Sequence, residues 1–306
     1  MSVFVIIPAH NRLHFTRACL ASLSEQRFRD FTVVVVDDGS TDGTQDALAR
    51  EFPAVSVLTG DGTLWWTGAM NVGVDWAMRQ GSEDDAIVTL NNDTLPPPDY
   101  FGHLHAAQET RPFALIGSLL VRAADRRTIV DGGVRVSWPT AKFTSDQEME
   151  PVPVVRSQHP VLYSVDVLSG CGTLIPVKAF KQVGLYDERR LRHYAADYEF
   201  SRRALAAGFP LYVDKTSILY VHERESGLHL AVGERDLRAL VRSFGDIRSA
   251  TDLGLRWRFA RRACPKRWQP TYIPCDYARV IVGSLRRHWT SRGWEISRHE
   301  GDSESL

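Results

Sequence analysis

Along the first hundred positions, short apolar runs alternate with segments whose apolar residues recur at helical spacing. Val3-Phe4-Val5-Ile6-Ile7, Phe31 to Val36, Val55 to Leu58 and Ala86 to Leu90 have the length and character of strands, the first a continuous apolar run. Such runs suit strands buried on both faces. Between them, residues 13–26, Thr44 to Glu51 and Ala69 to Arg79 predict helices, and Asp38-Gly39-Ser40-Thr41-Asp42-Gly43 predicts a turn. Strand-helix alternation predicts an α/β fold, a mostly parallel central sheet flanked by helices. Functional loops then belong at the carboxyl ends of the strands.

The pattern changes further on. Tyr100 to Glu109 predicts a helix, and Phe113 to Val136 short strands with polar turns. Residues 138–160 hold Pro139, Pro151, Pro153 and Pro160 and predict a long loop. Strand character returns from Val161 to Ile175, broken by Ser169-Gly170-Cys171-Gly172. Phe180 to Val183, Asp197 to Ala207 and Arg235 to Phe244 predict helices. This organisation gives a domain over 1–232, with halves 1–110 and 111–232, a basic and aromatic helical extension over 233–299, and a disordered tail over 300–306.

Composition narrows the classes. The 306 residues balance 37 Lys and Arg against 37 Asp and Glu, so bulk charge offers no case for nucleic acid. The four cysteines, Cys19, Cys171, Cys264 and Cys275, form no CxxC pair and no zinc spacing, as for free thiols in a reducing compartment. Val3 to Ile7 is too short for a signal peptide, and no run approaches the roughly 20 apolar residues of a membrane span. A cytoplasmic protein is expected, either soluble or peripheral on the inner face of the cytoplasmic membrane. Local charge is less even. Arg256, Arg258, Arg261, Arg262, Lys266, Arg267, Arg279, Arg286, Arg287 and Arg292 interleave with Trp257, Trp268, Tyr272, Trp289 and Trp294. Residues 234–299 therefore suit an anionic membrane surface, or equally a helical cap with solvated arginines and packed tryptophans.

The strand ends carry the candidate chemistry. The first ends in Pro8-Ala9-His10-Asn11-Arg12 and the second in Asp37-Asp38-Gly39-Ser40-Thr41-Asp42. A carboxylate there can accept from a nucleobase or ribose, or simply cap the next helix. The fourth ends in Asn91-Asn92-Asp93, whose oxygens suit Mg²⁺ or Mn²⁺ bridged to a diphosphate, or a plain turn before Pro96-Pro97-Pro98.

These three motifs, in this order and at this spacing, resemble the family 2 glycosyltransferases over roughly residues 1–230. Gly62-Thr63-Leu64-Trp65-Trp66-Thr67-Gly68-Ala69-Met70-Asn71 resembles a branch rich in bacterial rhamnosyl and galactofuranosyl transferases of surface polysaccharides. The resemblance implies the GT-A (Rossmann-like) fold and an inverting transfer from a UDP- or dTDP-sugar. The acceptor would be a glycan or a polyprenyl-diphosphate-linked precursor. It assigns the donor base to Asp38 with Ala9 beside it, and the metal to Asp93 with His222; Pro8, Asn11, Arg12, Asn71 and Asn92 are further candidates for donor-nucleotide contacts. Asn91 and Asn92 depart from the acidic residues usual there. Asp197 matches the general base, with Ala196 where a glutamate is usual and Glu199 as a second acid. Trp65, Trp66, Gly170, Cys171, Tyr198, Glu199 and Arg224 fall to the donor and acceptor sugar pocket, with His229 competing with His222.

Several readings stay open beside these. Asp197 also suits a helix N-cap, and tandem tryptophans are as often core as sugar platform. A sugar-phosphate nucleotidyltransferase would want a glycine-rich loop after the first strand, which Pro8-Ala9-His10-Asn11-Arg12 lacks. A sugar-binding module would need no base at Asp197. A homodimer is compatible with the chain, and the sequence leaves the sugar, nucleotide and acceptor unassigned.

Overall fold

The computed structural model describes residues 2–145, 159–222, 237–246 and 249–301. The chain divides into two compact units, residues 1–136 with 143–226, and residues 137–142 with 227–306. The sequence boundary expected at 232 and the candidate residues Arg224 and His229 lie outside the described residues.

The first unit opens with β1 (Val3–Ala9), α1 (Leu13–Ser24), β2 (Phe31–Asp37), α2 (Thr44–Glu51), β3 (Ser56–Thr59), α3 (Trp65–Gln80) and β4 (Ala86–Thr89). It continues with β5 (Thr94–Leu95), α4 (Tyr100–Thr110), β6 (Leu115–Arg122), β7 (Ile129–Asp131), β8 (Val134–Ser137) and β9 (Lys142–Ser145). β10 (Leu162–Ser164), β11 (Thr173–Pro176), α5 (Val177–Val183), α6 (Ala196–Ala206) and β12 (Leu211–Val221) complete it. The helix placed by sequence at Ala69 begins four residues earlier, at Trp65, so both tryptophans stand in its first turn.

The main sheet runs β3-β2-β1-β4-β11-β6-β12-β10. The pairs β3/β2, β2/β1, β1/β4 and β6/β12 are parallel, and β11 runs antiparallel to both its neighbours. The alternation of β1–β4 with helices makes the parallel part, because each crossover returns the chain to the same edge. Val5, Ile6, Ile7, Val34, Val35 and Val36 are fully buried, as central strands covered on both faces must be. Each such side chain contributes roughly 1.5–3 kcal/mol by leaving water. The short strands expected over 113–136 are instead led by one eight-residue strand, β6, buried almost throughout because β11 and β12 flank it. β12 is likewise long, eleven residues, with a register shift between Asp214 and Ile218.

The second unit holds α7 (Leu237–Ser243), α8 (Leu253–Ala263), a 3-10 turn (Lys266–Trp268) and α9 (Gln269–Gly301). Asp252 starts α8 by accepting from Gly254 N at 2.8 Å. Leu255, Phe259, Ala260 and Tyr272 form its buried interior, where Arg256 meets Asp276 at 2.8 Å. No helix among the described residues is long and apolar enough to cross a membrane.

Candidate functional site

Parallel strands β1, β2 and β4 all deliver their carboxyl ends to one edge of the sheet, and the loops that follow are stitched together there. Asp38 N donates to Ala9 O at 2.8 Å, and His10 Nδ1 lies 2.6 Å from Asp38 O. Asn11 N donates to Ser40 Oγ at 2.7 Å, and Asn11 Oδ1 accepts from Thr41 N at 2.9 Å. Asn11 and Arg12 both take left-handed backbone angles, which turn the chain from β1 into α1. Pro8, Ala9, Asn11, Arg12 and Asp38 are thereby brought together.

The acidic run after β2 divides its work. Asp37 accepts from Ser40 N at 3.2 Å, and Asp42 from Leu13 N at 2.8 Å and Thr44 N at 3.2 Å. These two do the turn and helix-start work. Asp38, buried, reaches the other way: Oδ1 accepts from Gly62 N at 2.8 Å and Oδ2 from Trp65 N at 3.1 Å. It fixes the loop into α3, and each oxygen keeps a further lone pair for a ligand.

The β4 end differs. Asp93 is buried, and its carboxylate lies 3.9 Å from the half-exposed guanidinium of Arg12. Its backbone O accepts from His222 N at 3.1 Å, because the two-residue β5 pairs antiparallel with the end of β12, Thr94 opposite Val221. The His222 ring rests against Phe15, 5.0 Å between centroids. Among the described residues, no group of three or more His, Cys, Asp and Glu side chains converges on one point. An ion held by Asp93 and His222 would complete its shell with diphosphate oxygens and water, as Mg²⁺ and Mn²⁺ do at phosphate sites.

A second cluster adjoins the β4 end. Gly172 N donates to Thr89 O at 2.7 Å, which lays the 169–172 turn beside Asn91. Trp66 Nε1 donates to Asn91 Oδ1 at 3.0 Å, and its indole edge covers Gly170. A Cβ on Gly170 would lie 2.3 Å from the Trp66 ring and 3.2 Å from Asp197 Cβ, so only glycine fits. Gly170 N in turn donates to Asp197 Oδ2 at 2.7 Å, while Asp197 Oδ1 accepts from Tyr198 N at 2.9 Å.

Asp197 lies in the first turn of α6, and the N-cap position belongs to Ala195. Burial pushes its carboxyl up to about 6, against the opposing pull of the Tyr198 and Gly170 amides. A half-buried carboxylate titrating there is suited to accept a proton near neutrality. The Cys171 thiol is pushed far up by burial and next by the charge of Asp93, so it is no nucleophile. Tyr198 stacks on Phe143 at 6.2 Å, and Trp65 meets His193 edge-on at 5.7 Å.

Three of the expected ligand contacts have partners within the protein. Asn71 is buried, donates to Tyr186 O at 3.0 Å and Glu188 Oε2 at 2.8 Å, and accepts from Tyr186 N at 3.0 Å. Both of its N–H donors are used within the protein, and it braces the 186–188 loop. Replacing Asn71 with Ala is expected to cost about 2–3 kcal/mol, read from the urea midpoint, because buried backbone groups lose their partners. Nucleotide affinity should be unchanged. Asn92 is buried and donates to Thr16 Oγ1 at 3.1 Å, tying the β4 end to α1. Glu199 is 1% exposed and takes Arg203 Nε on both oxygens at 2.9 Å. Arg203 also donates to the carbonyls of Val183 and Leu185, so Glu199 anchors α6 and offers nothing to a sugar.

One residue of this neighbourhood escaped sequence reasoning. Asp131, at the end of β7, acts electrostatically on Asp197, Tyr198 and Cys171. Asp131-Gly132-Gly133 reads only as a turn, and an acid at a strand end before two glycines was the available signal.

A family model described as "Glycosyl transferase family 2" matches residues 4–184. An N-acetylglucosaminyl-diphospho-decaprenol L-rhamnosyltransferase of Mycobacterium tuberculosis is 29% identical over 231 residues, 68% of this chain and 72% of that protein. GalNAc-T7 with UDP, GalNAc and Mn²⁺ superposes with a TM-score of 0.57 at 14% identity, covering 91% of this chain and 57% of that one. The mannosyltransferase PcManGT from Pyrobaculum calidifontis, in complex with GDP-Man and Mn²⁺, gives 0.55 at 17% identity, covering 99% and 76%.

Proposed function

The chain belongs to glycosyl transferase family 2 and is a glycosyltransferase of GT-A fold. From that premise we propose that it moves a sugar, with inversion, from a UDP- or dTDP-sugar to a hydroxyl of a bacterial surface glycan or its polyprenyl-diphosphate-linked precursor. The observation that carries this reading is Asp197, a carboxylate raised to about 6 and aimed by the Gly170 and Tyr198 amides. Asp197 takes the acceptor proton as the acceptor oxygen attacks the anomeric carbon opposite the diphosphate. That direction of attack inverts the centre. Asp38 and the β1-end loop hold the nucleotide. Asp93 and His222 hold Mg²⁺ or Mn²⁺, which when bound supplies Lewis-acid stabilisation of the leaving diphosphate. Trp66 and Gly170 shape the sugar position.

The test is a thermal-shift series with nucleotide diphosphates and their sugars, with and without Mn²⁺, followed by nucleotide release with a polyprenyl-diphosphate-linked N-acetylglucosamine acceptor. The right donor raises the melting temperature because it binds the native state. The anomeric configuration of the product, read by NMR, should be opposite to that of the donor. Retention would overturn the mechanism.

A peripheral seat on the inner face of the cytoplasmic membrane fits the second unit. Between Leu253 and Trp294 the sequence carries ten Arg and Lys against one acid, Asp276, and that acid is paired with Arg256. Trp257 is 47% exposed and Val282 62%. Cationic and apolar groups together bind anionic bilayers. The full chain should float with phosphatidylglycerol vesicles and not with neutral ones, and added salt should release it. Equal flotation with neutral vesicles would refute this seat.

A further inference from the structure

The base candidate shares its surroundings with a second carboxylate. Asp131 Oδ1 accepts from Gly133 N at 2.7 Å, closing a tight reversal after β7. Gly133 has φ 81°, and a Cβ there would lie 2.7 Å from side-chain atoms of Val165 and Val213, so the reversal is built for glycine. Beyond it, Val134 and Val167 exchange backbone hydrogen bonds, both at 3.2 Å. The Tyr163 hydroxyl donates to Gly132 O from the same side. This short ladder lays residues 131–134 along residues 167–170. The Ser169 hydroxyl, which donates to Cys171 O at 3.1 Å, lies near enough to Asp131 to favour its ionised form, and the next residue, Gly170, donates its N–H to Asp197. Two carboxylates therefore flank one dipeptide.

The groups that meet Asp197 directly are neutral. The 169–172 turn and α3 present the Gly170 amide and the Trp66 indole, α6 presents Tyr198, and the loop before α6 presents Tyr186. Asp131 is a charged side chain that acts on Asp197, and its charge raises the Asp197 carboxyl.

We propose that Asp131 is a positioning residue of the transfer step: set across Ser169–Gly170 from Asp197, its charge makes Asp197 a stronger proton acceptor, because their repulsion ends when the acceptor's proton arrives. This rests on Asp197 being the base. In the step, the acceptor O–H bond breaks and its proton goes to an Asp197 oxygen. The acceptor oxygen bonds to the anomeric carbon, and the bond from that carbon to the diphosphate breaks with its electron pair on the leaving oxygen. Burial raises Asp131 itself as well, so the two acids titrate as a linked pair.

The experiment is a ¹³C NMR titration of carboxyl-labelled aspartates in the full chain, with the Asp197 signal assigned by its loss in D197N. In D131N the Asp197 midpoint should fall by about one pH unit, the size expected for removing a near like charge. D131E should restore most of it. Asparagine can still accept from Gly133 N, so the reversal is kept. In the wild type, the Asp131 and Asp197 signals should each show two inflections, a readout that needs no variant. An Asp197 midpoint unmoved in D131N, or single independent inflections in the wild type, would overturn the proposal. The base assignment stands or falls separately, on whether D197N retains turnover.

Discussion

D197N is expected to lower turnover by about a hundred- to ten-thousand-fold, the contribution of a positioned general base, with little change in donor affinity. The Oδ2 that accepts from Gly170 N can be replaced by an amide oxygen, so the local geometry survives while the proton acceptor is lost. The wild-type acid limb follows from the same group. Asp197 must be ionised to act, so kcat/KM should rise with pH through about 6 and level above it. Stability runs the opposite way. The folded carboxyl binds its proton more tightly than the unfolded one, whose value is about 4. The folded state therefore binds more protons between these values, and stability falls as pH rises from about 4 through about 6. At neutral pH the charged, half-buried form is a burden that D197N removes. A gain of about 1–2 kcal/mol is expected, less than the full shift implies, because an asparagine NH₂ facing Tyr198 N loses one hydrogen bond. The measurements are a pH–rate profile and urea unfolding at neutral pH. A variant that is neither slower nor more stable would remove Asp197 from the base position.

D93N is expected to abolish the Mn²⁺-dependent part of the thermal shift given by a nucleotide diphosphate, and to lower turnover by about a hundred-fold or more. Asp93 is the one carboxylate of Asn91-Asn92-Asp93, and its neighbours have other work: Asn91 accepts from Trp66 and Asn92 donates to Thr16. Removing its charge also strips Arg12 of the anion 3.9 Å away. H222A should be milder, about ten-fold, since the carboxylate that Mg²⁺ and Mn²⁺ prefer is kept at Asp93. Calorimetric titration of Mn²⁺ into the protein with the nucleotide diphosphate reads both effects. Unchanged Mn²⁺ affinity in D93N would place the ion elsewhere.

Much of the fold could be read from residue pattern because its first half is made of local signals. A continuous apolar run such as Val3–Ile7 has one good solution, a strand covered on both faces. The second half depends on pairings between distant segments. Nothing local in Thr173–Pro176 says that it inserts antiparallel between β4 and β6. Nor does Thr94–Leu95 announce that two residues of pairing will bring His222 to Asp93. Within the candidate site, motif position marks the loops at the strand ends but not the direction of each side chain. Asn71 and Asn92 turn their amides inward to Tyr186 and Thr16, and Glu199 turns to Arg203. Which way an amide points is decided by which buried partner lacks a hydrogen bond, and that is a property of the packed state.

Trp65 and Trp66 give α3 a consequence for how such a chain can vary in length. The amide of one residue is fastened to Asp38 at the β2 end, and the indole of the next to Asn91 at the β4 end. Adjacent residues thus act as a gauge block between the Asp38 loop and the Asn91 end of β4. One residue added between them would swing everything beyond by about 100° around the helix axis and advance it about 1.5 Å, so Trp66 would leave Gly170. Insertions should therefore be lethal to turnover between 65 and 66 and milder in the exposed 61–63 stretch before the helix, where the bond from Gly62 N to Asp38 is the contact at risk. A deletion and insertion scan across 60–67, scored for nucleotide release, would show this as an abrupt edge at the first turn of α3.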